Sequence, residues 1–206
     1  MNLNKERKLI RLGYKKIAGL DEAGRGAWAG PIVAGCVLIE DGLDLRKKEN
    51  YLLQKVNDSK KLNPQLRQLL YKTIIKNLIW SVGVVTVAEI EKIGINKANH
   101  KALLRAFKNL KKQADFVLVD FWQDLPLVVA NQGIIRADSN FFSVAAASII
   151  AKVYRDNLMK SLDLKDNRWQ FAKHKGYGTA EHLQAIKKYG ISNQHRISFL
   201  SNIKFN

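Results

Sequence analysis

Ile17-Ala18-Gly19-Leu20-Asp21-Glu22-Ala23-Gly24-Arg25-Gly26 is a short apolar run that ends on two adjacent carboxylates and passes into a Gly-Arg-Gly loop. Beyond the loop, Pro31 to Ile39 is a β-rich run. The spacing predicts that the two runs pair as a hairpin across the loop, with the acids at one end. Two acids beside a flexible, cationic turn are poor material for a core. They suit a site that holds a divalent metal against a phosphate backbone.

Working outward, Asn63 with Pro64 after it predicts a helix to about Asn77. Trp80 to Val87 alternates as a strand, and Asn96 is placed to cap a helix through about Lys112. Asp115 to Asp120 and Leu127 to Arg136 are further strand candidates. A long Ala/Ser-rich helix is expected from Phe141 to about Lys160, and a last one from about Thr179 to Tyr189, with Gly190 at its C-cap. Strands alternating with helices make this an α/β chain whose region from about residue 140 is mostly helical. No Pro/Gly/Ser-rich linker divides it, so residues 1–206 are expected to form a single domain.

The 206 residues, 47% of them apolar, suffice for one good core. No apolar run approaches the roughly 18 residues that span a bilayer. Met1 to Lys16 is basic, contains Glu6 and lacks both serine and an apolar centre, so a cleaved targeting peptide is not expected. The one cysteine, Cys36, lies in an apolar run and is expected to pack as a small hydrophobe in a reducing, cytoplasmic setting. A net charge of +17 points to a polyanionic partner, nucleic acid being the commonest, although solubility alone also raises charge. On the helix after Asn96, Lys97, Lys101, Arg105, Lys108 and Lys112 share one arc, with no acid between Lys92 and Asp115. That arc is either a solvated face or a surface that meets a polyanion.

Two later acids resemble Asp21 and Glu22 in context. Asp120 ends the run Phe116-Val117-Leu118-Val119, and Asp138 precedes the helix that starts near Phe141. Strand-end acids converge readily in α/β folds. Taken alone, Asp120 could be an exposed strand end and Asp138 a helix cap; Asp124 competes with Asp120 from a loop. Hydrolysis of a phosphodiester needs an attacking water and a stabilised leaving oxygen. Two Mg²⁺ or Mn²⁺ ions about 4 Å apart serve both, and such hard ions take oxygen ligands. His100, His174, His182, His195 and Cys36 lack a zinc-ligand spacing, and no GxSxG or phosphate-binding P-loop occurs. Tyr177, between Gly176 and Gly178 in a basic loop, is either a turn residue covering a core edge or a stacking platform for a sugar or base.

At this point the chain resembles the type 2 ribonuclease H (ribonuclease HII) family. The resemblance rests on Gly19 to Gly26 with Ala29-Gly30-Pro31; on Asn57-Asp58-Ser59-Lys60-Lys61-Leu62; and on Asp120 closing a strand. It continues through Ala137-Asp138 with Ala145 to Asp156, and ends on His174 to Thr179 with His195-Arg196-Ile197-Ser198-Phe199. It implies a ribonuclease H-like fold, a central mixed β-sheet flanked by helices. It implies cleavage of RNA in RNA–DNA hybrids and on the 5′ side of single ribonucleotides embedded in duplex DNA, leaving 5′-phosphate and 3′-hydroxyl ends. Roles in ribonucleotide excision repair and in primer removal at replication follow. Asp21, Glu22, Asp120 and Asp138 match the metal-binding acids, and Gly24, Arg25 and Gly26 match the loop that reads the 2′-hydroxyl. Tyr177 matches the tyrosine that stacks on the neighbouring deoxyribose, and Ser59 and Lys60 are further candidate substrate contacts.

Departures are local: Phe121 and Ala137 stand where the family usually has glycine, and Ala27 where proline is common. The chain also lacks the extra N-terminal domain expected of type 3 relatives, which favours type 2. A resolvase or integrase of the wider group, and a non-catalytic nucleic-acid-binding module, are the competing readings. The Gly-Arg-Gly and tyrosine loops argue against the first; the retained acids argue against the second, because they would weaken phosphate binding. A monomer is expected. A sliding-clamp contact is conceivable, but Asn202-Ile203-Lys204-Phe205-Asn206 is not a recognisable docking motif.

Overall fold

β1 (Lys16–Ala23) and β2 (Ile32–Glu40) form the expected antiparallel hairpin, in register from Lys16 opposite Glu40 to Ala23 opposite Val33. The computed structural model describes residues 1–121 and 123–201; the tail segment 202–206 considered above lies outside them. β3 (Ile79–Val85) pairs antiparallel with β2, while β4 (Phe116–Val119) and β5 (Ala130–Gly133) extend the sheet beyond β1 in parallel. The order is β3-β2-β1-β4-β5, a mixed five-stranded sheet.

Helices cover both faces, which is why β1 and β2 read as nearly unbroken apolar runs. α5 (Phe142–Lys165) crosses β1 and β2 on one face. Its Ala145-Ala146-Ala147 stretch lets helix and sheet approach closely: a Cβ on Gly19 of β1 would stand 2.2 Å from the Ser143 carbonyl carbon. α4 (Ile95–Lys108) covers the other face, placing Ala98, Ala102, Leu103 and Ala106 in one buried cluster with Ala34 and Cys36. Cys36 is fully buried and its thiol is pushed up to about 12 by burial, as befits a packing residue.

α2 (Pro64–Asn77) packs on α5 and is capped as expected, the Asn63 side chain accepting the Leu66 N–H at 2.8 Å. α6 (Phe171–His174), α7 (Ala180–Tyr189) and α8 (Ile197–Leu200) make the C-terminal region helical, gathered around Met159, Trp169, Phe171 and Ile186. The Gly190 C-cap is present, at φ 74°.

Several boundaries differ from the sequence reading. Asn96 is not a cap: Gly94, at φ 78°, ends α3 (Val87–Ile93) and turns the chain directly into α4. The acids missing from the basic arc of α4 come from neighbouring elements. Glu89 of α3 sits 2.7 Å from both Lys101 and Arg105; α4 stops at Lys108, short of the expected Lys112, and Lys112 in the loop beyond it is 3.1 Å from Glu40 of β2. Asp138 does not cap α5. The orphan donors there are met by Glu6 of α1 (Asn4–Arg11), whose buried carboxylate accepts from Ser143 N–H at 2.8 Å and Ser143 Oγ at 3.0 Å. No local pattern links residue 6 to residue 143, so periodicity could not have found this contact.

Candidate active site

The ends of β1 and β4 bring the first acids together. The two strands are parallel neighbours, and Asp120 N–H donates to Leu20 O at 2.9 Å, so Asp120 leaves β4 beside Asp21. Successive strand residues face opposite sides. Ile17, Gly19 and Asp21 therefore point to the α5 side, and Ala18, Leu20 and Glu22 to the α4 side. Asp138 arrives from the turn before α5, held by a 3₁₀ segment over Ala137–Ser139. One carboxylate oxygen from each of Asp21, Asp120 and Asp138 lies within 4.8 Å of the others. Glu22 lines the same cavity from the opposite side, with Oε2 buried and without a hydrogen-bond partner among the described residues.

The electrostatics are those of charge that lacks a counterion. Burial, then Glu22, Asp120 and Asp138, pushes the Asp21 carboxyl well above the usual range. Asp138 is pushed up to about 6, first by burial and then by Asp120 and Asp58. Burial also raises Glu22 and Asp120, the latter eased by the Ala137 N–H, which donates to Asp120 Oδ1 at 3.1 Å. Lys60 answers from the rim. It is exposed, and what desolvation it suffers works against its charge, but Asp21, Asp138, Asp58 and Asp120 together raise its pKa. An all-oxygen, carboxylate-rich donor set fits a hard divalent ion and not a soft one.

The remaining candidates sit around this centre. Arg25 NH2 donates to Asn96 Oδ1 at 3.0 Å, and its guanidinium lies 5.7 Å from the Phe121 ring centroid. Phe121, in place of the family's glycine, is buried edge-on to His100, with centroids 5.0 Å apart. Lys60 lines the cavity, whereas Ser59 is buried beneath it, its N–H donating to Ser148 Oγ at 3.3 Å and its carbonyl accepting from Arg67 Nε at 2.7 Å. Tyr177 is half-buried, its ring flanked by Lys152 and Arg155 at 5.4 and 5.2 Å. Asp124 is spent elsewhere, accepting the Gly133 N–H at 2.7 Å.

Two residues escaped the sequence reading. Asp58 lines the cavity beside Asp138, though only its place between Asn57 and Lys60 could have hinted at it. Asn99 of α4 is fully buried beside Glu22, where its amide favours the charged carboxylate; a polar residue on an otherwise apolar helix face was the available signal.

Known proteins agree with this geometry. Ribonuclease HII of Caldicellulosiruptor bescii is 44% identical over 199 residues, covering 96% of this chain and 93% of that protein. Ribonuclease HII of Chlamydia muridarum is 44% identical over 196 residues, covering 94% and 86%. Among solved structures, ribonuclease H2 from Pyrococcus horikoshii superposes with a TM-score of 0.71 at 28% identity, over 89% of this chain and 93% of that one. The ribonuclease HII in the PCNA:RNase HII complex from Archaeoglobus fulgidus gives 0.73 at 26% identity, over 92% and 96%. The model of the family described as Ribonuclease HII matches residues 18–202. With strand-end acids, sheet order and close relatives all in accord, this chain belongs to the ribonuclease HII family.

Proposed function

We propose that the chain is a metal-dependent endoribonuclease that hydrolyses RNA in RNA–DNA hybrids and cuts on the 5′ side of single ribonucleotides embedded in duplex DNA. The observation that carries this is the convergence of Asp21, Asp120 and Asp138 within 4.8 Å, beside the Gly24–Gly26 loop, in a chain of this family.

Asp21, Asp120 and Asp138 would hold two Mg²⁺ or Mn²⁺ ions, with Glu22 contributing from the other face of β1. The chemistry so supplied is a water of lowered pKa and compensation of charge on the leaving oxygen. The Ala137 N–H keeps the Asp120 carboxylate aimed at the centre. Lys60 places a fixed cation where the phosphate would lie, on a turn that Ser59 anchors from below. Gly24 and Gly26 allow the backbone near a ribose, and the 2′-hydroxyl is the group that separates RNA from DNA. Arg25, tethered to Asn96, lines the approach, and Tyr177 would stack on the adjoining deoxyribose. The partner is thus a nucleic-acid duplex and the working state a monomer.

The test is a DNA duplex carrying one ribonucleotide, incubated with protein and Mg²⁺ or Mn²⁺. Cleavage 5′ of that residue is expected, and Asp21→Asn or Asp120→Asn should lower it by about three orders of magnitude or more while sparing duplex affinity. An uncut substrate that is still bound would overturn the catalytic reading.

A further inference from the structure

Two arginines outside the catalytic cavity are fully buried, Arg155 of α5 and Arg196 just before α8. Among the described residues neither lies within ion-pair distance of a carboxylate. Their bonds go to main-chain carbonyls from distant parts of the chain. Arg155 donates to Pro31 O at 2.9 Å, Ala29 O at 3.0 Å and Lys175 O at 2.8 Å. Arg196 donates to Gly30 O through Nε and NH2, at 3.0 and 2.8 Å, and to Arg25 O at 2.9 Å. Burial lowers the pKa of both, and Arg196, at about 9, keeps its charge at neutral pH.

The acceptors belong to two loops. Arg25, Ala29, Gly30 and Pro31 form or follow the Gly-Arg-Gly loop, and Lys175 belongs to the tyrosine loop. Between them the backbones are already joined: Trp28 N–H and Ala29 N–H both donate to Gly176 O, at 2.8 and 3.1 Å, and Arg196 N–H donates to Trp28 O at 2.7 Å. Arg155 touches both functional ends. A Cβ on Gly24, at φ +90°, would lie 1.9 Å from Arg155 Nε, and the same guanidinium is 5.2 Å from the Tyr177 ring centroid. An apolar side chain of equal volume would fill the space but leave buried carbonyls unpaired.

We propose that Arg155 and Arg196 are positioning residues that lock the Gly24–Gly26 loop and the Tyr177 loop into one rigid unit, and that selectivity for a lone ribonucleotide depends on this lock. The inference rests on the roles proposed above for the two loops. A single embedded ribonucleotide presents one 2′-hydroxyl and one junction, so both loops must be in register at once. A long hybrid offers many registers and tolerates looser loops.

The experiment compares kcat and KM on a duplex with one ribonucleotide and on a long hybrid, for Arg155→Lys and Arg196→Lys. These variants keep the charge but lose the forked geometry. Gly176→Ala disturbs the same junction without removing an arginine, since its Cβ would meet Ala29 O, an acceptor of Arg155, at 2.4 Å. Each variant should lose about tenfold to a hundredfold in kcat on the single-ribonucleotide duplex, with KM little changed and a smaller loss on the hybrid. In a Tyr177→Ala background, Arg155→Lys should deepen the selectivity loss by less than about twofold, because both changes act through one loop. Equal losses on both substrates in all three variants would reduce the arginines to scaffolding and overturn the inference. So would an unchanged substrate ratio alongside a normal response to Tyr177→Ala. If Tyr177→Ala itself leaves the ratio unchanged, the loop assignment falls, and this inference with it.

Discussion

Asp138→Asn should make the metal-free protein more stable while ending its activity, because the acids repel one another in the fold that gathers them. The Asp138 carboxyl is pushed from 3.8 to about 6, first by burial and then by Asp120 and Asp58. Roughly two pH units at about 1.36 kcal/mol each give an upper bound near 3 kcal/mol. The carboxyl opens onto the cavity, and solvent screening cuts this to about 1–2 kcal/mol, or roughly 2–8 °C in melting temperature. The sign follows from linkage. A carboxyl whose folded pKa is raised keeps its proton in the native state after the unfolded chain has released its own. Its stabilising protonation is complete below about pH 4 and lost as pH rises through about 6. The advantage of Asp138→Asn over wild type should therefore be near zero at pH 4, grow between pH 4 and 6, and stay level above. Thermal melts in chelator across that range measure it. Millimolar Mg²⁺ should then stabilise wild type more than the variant, reversing or closing the gap. A variant no more stable than wild type at pH 8 in chelator, or an advantage independent of pH, would refute the reasoning.

Other perturbations probe the frame around the site. Glu6→Ala removes the acceptor for Ser143 N–H and Oγ at the start of α5 and should cost about 1–3 kcal/mol in urea unfolding. Glu6→Gln keeps an acceptor and removes a charge that burial already disfavours, so it should cost much less; equal losses would mean that the charge itself does the capping. Gly19→Ala drives a methyl into the Ser143 backbone and should cost about 3 kcal/mol, read as a lower urea midpoint with unchanged slope. Lys97→Glu with Lys108→Glu removes α4 lysines that form no ion pair among the described residues, and should weaken duplex binding and flatten its salt slope by about 2. An unchanged slope would place that face away from the substrate.

How much of this was legible depends on whether the signal was local. The Asn63 cap and the Gly190 C-cap depend on residues a few positions apart and the β1–β2 hairpin on two consecutive runs, and all are present. That Asp21 and Asp120 lie near the C-terminal ends of β1 and β4 could be read from apolar runs that meet an acid. What was not legible is what the fold does with charge. Read as a sum, +17 describes a basic surface. In the structure Arg155 and Arg196 are interior, bonded to carbonyls, while Lys101, Arg105 and Lys112 are held by Glu89 and Glu40. An arginine that fastens two loops looks, in sequence, the same as one that waits for a phosphate. The acids carry the opposite lesson: Asp58 lies in a recognisable block, but nothing local to it shows that it meets and helps to raise Asp138. Composition therefore overstates how much cation faces a duplex and understates how much carboxylate surrounds the centre. The two errors share one cause, because counterions in a folded chain are chosen by packing and not by neighbourhood in the sequence.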